Sequence, residues 1–234
     1  MKHFLTALAL MLTTTSAFAG FTGSVTATND YIWRSTGQGA DMAFQVGIDY
    51  EHDSGFYAGV WTSDIDFGGD VDREIDYYAG YSTALIEGVV DIDVGYIQYD
   101  YQGSAFDFKE IMYGLSFANG LTVNYYNVES SDVSTIEVIY AVPFITVVDV
   151  ELIAYDFEGN GTEVFGAVED SIAIRFSKSV DDNVSLGLLV GEDLLTGSNY
   201  YAFSFGLFLG ISLPSKERSN NTSSCYKICW CHTT

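Results

Sequence analysis

The sequence predicts an all-β protein, an antiparallel transmembrane β-barrel of about 12 strands with short periplasmic turns and longer extracellular loops. Three observations predict it. Apolar and polar residues alternate with period two along most of the chain. The alternating runs are roughly ten residues long, enough to cross a bilayer at a tilt, whereas soluble strands average about five or six. Short and long connections alternate, as they do when tight turns lie on one side of a membrane and loops on the other.

The first element is the segment 1–19, MKHFLTALALMLTTTSAFA, which reads as a signal peptide. Lys2 and His3 form a positive start, Phe4 to Leu12 an apolar run too short to span a bilayer, and Ala17-Phe18-Ala19 a cleavage site. A short buried helix is the competing reading, and the order of charge, apolar run and Ala-x-Ala speaks against it. The formal charge is −23, and the segment removes Lys2 and no acid, leaving −24. Such acidity excludes nucleic acid as a partner, because the phosphates would be repelled. Disorder is equally excluded by a composition 48% hydrophobic and 15% aromatic with 2 prolines. No Cys lies between Thr22 and Leu213, so no disulfide framework supports the fold.

Strands are expected over 23–34, 41–52, 55–65, 74–85, 89–101, 107–118, 121–129, 134–143, 147–157, 169–178, 183–191 and 199–212. The short turns are 51–55, 86–89, 118–121, 143–146 and 179–183, with Asn119-Gly120 a strong hairpin signal. The longer loops are 35–41, 66–73, 101–107, 130–134, 157–168 and 192–199, and both termini then face the periplasm. One face of the strands is apolar: Phe44, Val46 and Ile48, then Tyr113, Leu115 and Phe117, then Phe203, Phe205 and Leu207 are examples. That face meets lipid, where a charge at mid-depth costs about 2–4 kcal/mol. In the hairpin 48–61, Ile48, Tyr50, Phe56, Ala58 and Val60 therefore point to lipid, and Asp49, Glu51, Tyr57, Gly59 and Trp61 point inward. A soluble β-sandwich would bury the same rows between two sheets, but it does not explain strands of this length or the alternation of loop lengths.

The lumen face is acidic. Its candidate functional residues are Asp49, Glu51, Asp76, Asp91, Asp93, Glu110, Glu137, Asp149 and Glu151. Seven glycines (Gly47, Gly59, Gly80, Gly95, Gly114, Gly187 and Gly206) lie on the same face. Either they leave room for water, or inward aromatics such as Tyr57, Trp61, Tyr78, Tyr126 and Tyr155 lie over them. Twelve strands fall between the filled barrel of about eight and the open channel of about sixteen, so size alone leaves the lumen open or closed.

The stretches VTATNDYIWRS (25–35), GIDYEHDSGFYAGVW (47–61), DFGGDVDREIDYYAGYS (66–82) and VGYIQYDY (94–101) resemble the Gcw_chp family. The resemblance is strongest over 22–120 and implies a Gram-negative outer-membrane β-barrel of unknown function. It implies no catalytic or binding residue. The region 20–213 is then the barrel, and 214–234 is an atypical tail, expected to be disordered or the product of a shifted reading frame. Cys225, Cys229, Cys231 and His232 in that tail match neither structural zinc nor haem-attachment spacing.

Enzyme chemistry is not expected. The 3 histidines fall in the signal, in the tail and, as His52, in a periplasmic turn, so no base stands near the outer rim. No cofactor is expected. Asp64, Asp66, Asp70 and Asp72 form an oxygen-rich outer loop that resembles a Ca²⁺ or Mg²⁺ site in composition, though not in EF-hand spacing. Two functions remain. One is a small passive channel whose acidic lumen favours cations or neutral solutes. The other is a non-conducting barrel whose acidic loops contact lipopolysaccharide through divalent cations. Either sits in outer-membrane lipid and depends on the barrel-assembly machinery.

Overall fold

The structure is a computed structural model, and it describes residues 20–103, 106–159 and 170–211. Its strands, in chain order, are β1 (Phe21–Thr28), β2 (Ile32–Trp33), β3 (Thr36–Gly37), β4 (Ala43–Glu51), β5 (Phe56–Asp64), β6 (Arg73–Ile86) and β7 (Val90–Tyr101). They continue with β8 (Phe108–Phe117), β9 (Leu121–Val128), β10 (Ser134–Ala141), β11 (Asp149–Glu158), β12 (Ser171–Ser179), β13 (Val184–Asp193) and β14 (Asn199–Ile211). Twelve of these close into one antiparallel barrel, while β2 and β3 form a separate small hairpin. Each barrel strand pairs with its neighbour, and β1 pairs with both β4 and β14, which closes the sheet. The predicted signal peptide, the Cys-containing tail and most of the 157–168 loop lie outside the described residues.

The face assignment follows the period of two. Phe44, Val60, Tyr113 and Phe203 are 54%, 43%, 49% and 59% exposed, whereas their neighbours Gln45, Trp61, Met112 and Ala202 are 2%, 4%, 2% and 0%. A single closed sheet has no second layer to cover the apolar rows, so the soluble sandwich is excluded and the rows form a belt. Strand ends agree with the sequence reading to within a few residues, except at the first strand. At the 119–120 hairpin only Gly120 takes positive φ, at 89°, and Asn119 instead accepts a bond from the Leu121 N–H at 3.1 Å.

The first strand was expected to run to residue 34. It stops at Thr28, whose hydroxyl donates to the Asp30 carbonyl at 2.6 Å. The chain then turns through left-handed backbone at Arg34 (φ 42°) and Ser35 (φ 74°), and β2–β3 folds into the lumen. The alternation of Ile32 and Trp33 thus serves an internal plug and not a lipid-facing strand. Tyr31 and Trp33 join a cluster with Trp61, Ile97 and Met112 on the β5–β8 wall. Ile32 joins Ile153, Ala173, Leu189 and Ala202 on the opposite β11–β14 wall. The loop therefore bridges the barrel.

The inward glycines are explained in part by aromatic cover. Gly59 pairs with Tyr78 and Gly80 pairs with Tyr57, a reciprocal exchange between β5 and β6. A Cβ at Gly59 would overlap the Tyr78 ring, one at Gly80 the Tyr57 ring, and one at Gly191 the Tyr200 ring. Each missing side chain lets a ring lie flat across the neighbouring strand. Tyr78 reaches over Gly59 to donate to Asp49, and Tyr57 reaches over Gly80 to donate to Asp93 at 2.8 Å.

Two substitutions in the opening hairpin test both faces. Val60→Arg should cost about 2–4 kcal/mol near mid-depth, because the guanidinium must snorkel or draw water inward. Gly59→Ala should cost about 1–3 kcal/mol, because Tyr78 is pinned by Asp49 and cannot yield freely. Urea titrations in lipid vesicles measure both. A neutral Gly59→Ala would mean that the ring does not occupy that position.

Candidate functional site

The lumen collects the charged residues that the alternation turns inward. At its centre is Arg34 from the plug. Its Nη1 donates to Glu110 Oε1 at 2.8 Å and its Nη2 to Glu110 Oε2 at 2.7 Å, with both side chains buried. Tyr99 donates its hydroxyl to the same Oε2 at 2.8 Å. The guanidinium carbon lies 3.6 Å from the Tyr126 ring centre and 4.4 Å from that of Trp33. Burial opposes the Arg34 charge, but Glu110 and then Tyr99 outweigh it, and the guanidinium is held above its ordinary pKa. A planar fork between two rings, bound bidentately, is a geometry that Lys could not reproduce.

Several other predicted lumen acids are also engaged. Glu137 accepts from Asn124 Nδ2 at 2.8 Å and the Tyr126 hydroxyl at 3.1 Å. Glu151 pairs with Arg175 at 2.9 Å. Asp49 and Asp93 take the tyrosine hydroxyls described above. Asp91 and Asp149 are exposed near the short-turn rim, and Glu51 is half-buried at the same end. Asp76 is fully buried on β6 between Trp61 and Tyr99. The nine acids thus share one lumen but do not converge on one centre.

The outer loop separates its own carboxylates. Asp64 pairs with Arg73 at 2.8 Å and accepts from the Phe44 N–H at 3.0 Å. Asp66 accepts from the Gly68 N–H at 3.0 Å, closing its own turn, while Asp70 and Asp72 project outward. Among the described residues no three His, Cys, Asp or Glu side chains gather as a metal-binding group. His52 shares a 2.7 Å contact with Ser54 within one exposed turn, and Ser54 N–H points at the same ring nitrogen, so the pair is local turn geometry.

Sequence reasoning missed the plug and its latch. Arg34 stood inside an expected strand end, and nothing in the alternation distinguishes a wall residue from a loop residue folded against the wall. The available signal was a basic residue directly after Tyr-Ile-Trp in a chain whose lumen has few bases. At the long-loop end, a cleft of about 430 Å³ between the plug and residues 199–201 is lined by Asp30, Asp41, Asn199 and Tyr200. Burial, then Asp41, hold the Asp30 carboxyl above the usual carboxylate range.

Arg34→Met should destabilise the folded barrel by about 3–5 kcal/mol, because Glu110 would stay buried with only Tyr99 as donor. Arg34→Met/Glu110→Leu should recover much of that loss. Urea unfolding of the single and double variants measures both, and additive losses would show that the pair is not coupled.

Comparison with solved structures bears out the architecture. The KdgM porin aligns over 82% of this chain and 99% of its own, with a TM-score of 0.58 at 11% identity. The KdgM porin in complex with disordered oligogalacturonate gives a TM-score of 0.57, also at 11% identity, with the same 82% and 99% coverage. Outer membrane phospholipase A from Escherichia coli aligns over 82% of this chain and 93% of its own, with a TM-score of 0.45 and 11% identity. The likeness to the two porin structures is one of fold. No curated protein matches the sequence. The family model described as "Bacterial protein of unknown function (Gcw_chp)" matches residues 12–140, more than half of the sequence, and the chain belongs to that family.

Proposed function

We propose that the protein is a narrow outer-membrane channel for small cations or neutral solutes, held closed by its own first long loop. The observation that carries this reading is a buried latch: the ion pair Arg34–Glu110 helps fix β2–β3 in a lumen whose charged residues are mostly carboxylates. Such walls attract cations and repel anions once the loop yields. The apolar belt and the porin-like fold support an outer-membrane location. Export through a cleaved signal peptide and insertion by the barrel-assembly machinery belong to the same reading. The chemistry is passive, with no enzymatic step.

A non-conducting barrel is the second reading. The apolar contacts of Ile32 with one wall and Trp33 with the other favour it. In that case the acidic outer loops are the working surface, and divalent ions bridge them to lipopolysaccharide.

Planar-bilayer recording separates the two. The wild-type barrel should show infrequent small openings with cation preference. Arg34→Ala, assayed as the folded fraction, should open more often by about tenfold or more, a shift of about 1.4 kcal/mol or more in the closed–open balance. Silence in both, or anion preference, would overturn the channel reading.

A further inference from the structure

Asp76 differs from the other buried carboxylates of the lumen. It is 0% exposed, and neither of its oxygens meets a hydrogen-bond partner among the described residues. Beside it on β6 is Glu74, 1% exposed, which accepts from the Tyr101 hydroxyl at 2.9 Å through Oε1. Both side chains point inward from the same strand. Glu74 shares its rung with Ser63 of β5 and, through Ser63, with Gln45 of β4. Gln45 is 2% exposed, and its Nε2 also has no hydrogen-bond partner.

The nearest buried cation does not answer this charge. Both Arg34 Nη groups are taken by Glu110. The other ion pairs of the described residues use Arg73 on the outer loop and Arg175 on the far wall. Two carboxylates are therefore buried together with tyrosine hydroxyls for company and no side-chain cation. Ionised carboxylates in such a place are costly unless a counter-charge joins them. The unpartnered Gln45 amide, two strands away on the Glu74 rung, has a simple remedy: turned over, it presents its carbonyl oxygen in place of its NH₂.

We propose that Glu74 and Asp76 bind a hard divalent cation in the lumen wall, with Gln45 Oε1 as a neutral ligand. All three groups offer oxygen, the donor that Ca²⁺ and Mg²⁺ select, and two carboxylates match a charge of two. The site lies on the β4–β6 wall, so the ion ties β4 and β6 together near Tyr31, which packs on Trp61. It is separate from the outer-loop acids, and it does not rest on the channel reading, since a barrel that conducts nothing can still hold the ion.

Terbium is a suitable probe because Trp61 is the rung partner of Asp76 and Tyr31 packs edge-on against Trp61 at 5.4 Å. Excitation of these rings in the refolded full-length barrel should sensitise Tb³⁺ emission, and Ca²⁺ should displace it. Asp76→Asn should weaken Tb³⁺ binding by about tenfold or more. Asp182→Asn, exposed on the short turn 179–183 at the other end of the barrel, should leave it unchanged. Folding of each variant is checked by the mobility of unheated samples on gels. Should Asp76→Asn not fold, Glu74→Gln and wild-type thermal unfolding with and without chelator serve instead, and the chelator should lower the midpoint. Absent emission, equal binding by Asp76→Asn, or a midpoint that responds to pH but not to chelator would overturn the proposal.

Discussion

Eight residue pairs join β1 to β14, from Phe21 opposite Ile211 to Thr28 opposite Ser204, and this seam leaves no barrel strand with a free edge. Hydrocarbon offers no partner for backbone N–H or C=O groups, so a sheet that faces lipid has to close. Closure fixes the rest. With one face in lipid, the strict period of two sends the strand acids at mid-depth to the other face. The result is a small lumen with an excess of negative charge and room for few compensating groups. Arg34 is the answer the chain uses, and it reaches the centre only because its segment leaves the wall after Thr28.

The interior is therefore organised as pairs that each solve a local problem of buried charge. Tyrosine is the commonest partner because it adds an apolar body and one donor without adding charge. Tyr57, Tyr78, Tyr99, Tyr101 and Tyr126 all donate to inward carboxylates. This economy of charge keeps the lumen acidic on balance while leaving most acids hydrogen-bonded. It also fills space, with Tyr57, Tyr78, Tyr99 and Tyr101 packed in the buried core on the lumen side.

The fold was largely legible because lipid imposes a rule that acts residue by residue. Ile48 and Val60 on one side, Asp49 and Trp61 on the other, follow from alternation alone. The state of the lumen was not legible. Alternation says that Tyr78 and Gly59 both face inward, but only the register makes them partners. It says nothing of residues 29–42, where Ile32 and Trp33 keep a strand-like pattern inside the barrel. Burial of Glu110 could not be read either, because a wall carboxylate and a latch carboxylate occupy the same kind of position in sequence. The outer-loop aspartates failed as a set for a local reason: Arg73 claims one and a turn amide claims another.

The exchanged Tyr-Ala-Gly triplets at 57–59 and 78–80 carry a further consequence, for assembly. In the native register each tyrosine faces a glycine across the β5–β6 interface. A slip of two residues preserves the lipid and lumen faces, so hydrophobicity cannot correct it. Slipped one way, Tyr57 and Tyr78 meet head to head, and slipped the other way Gly59 meets Gly80 and leaves a gap. The triplets thus act as a lock and key cut into the sheet itself, selecting the correct alignment among alternatives that the membrane would accept equally.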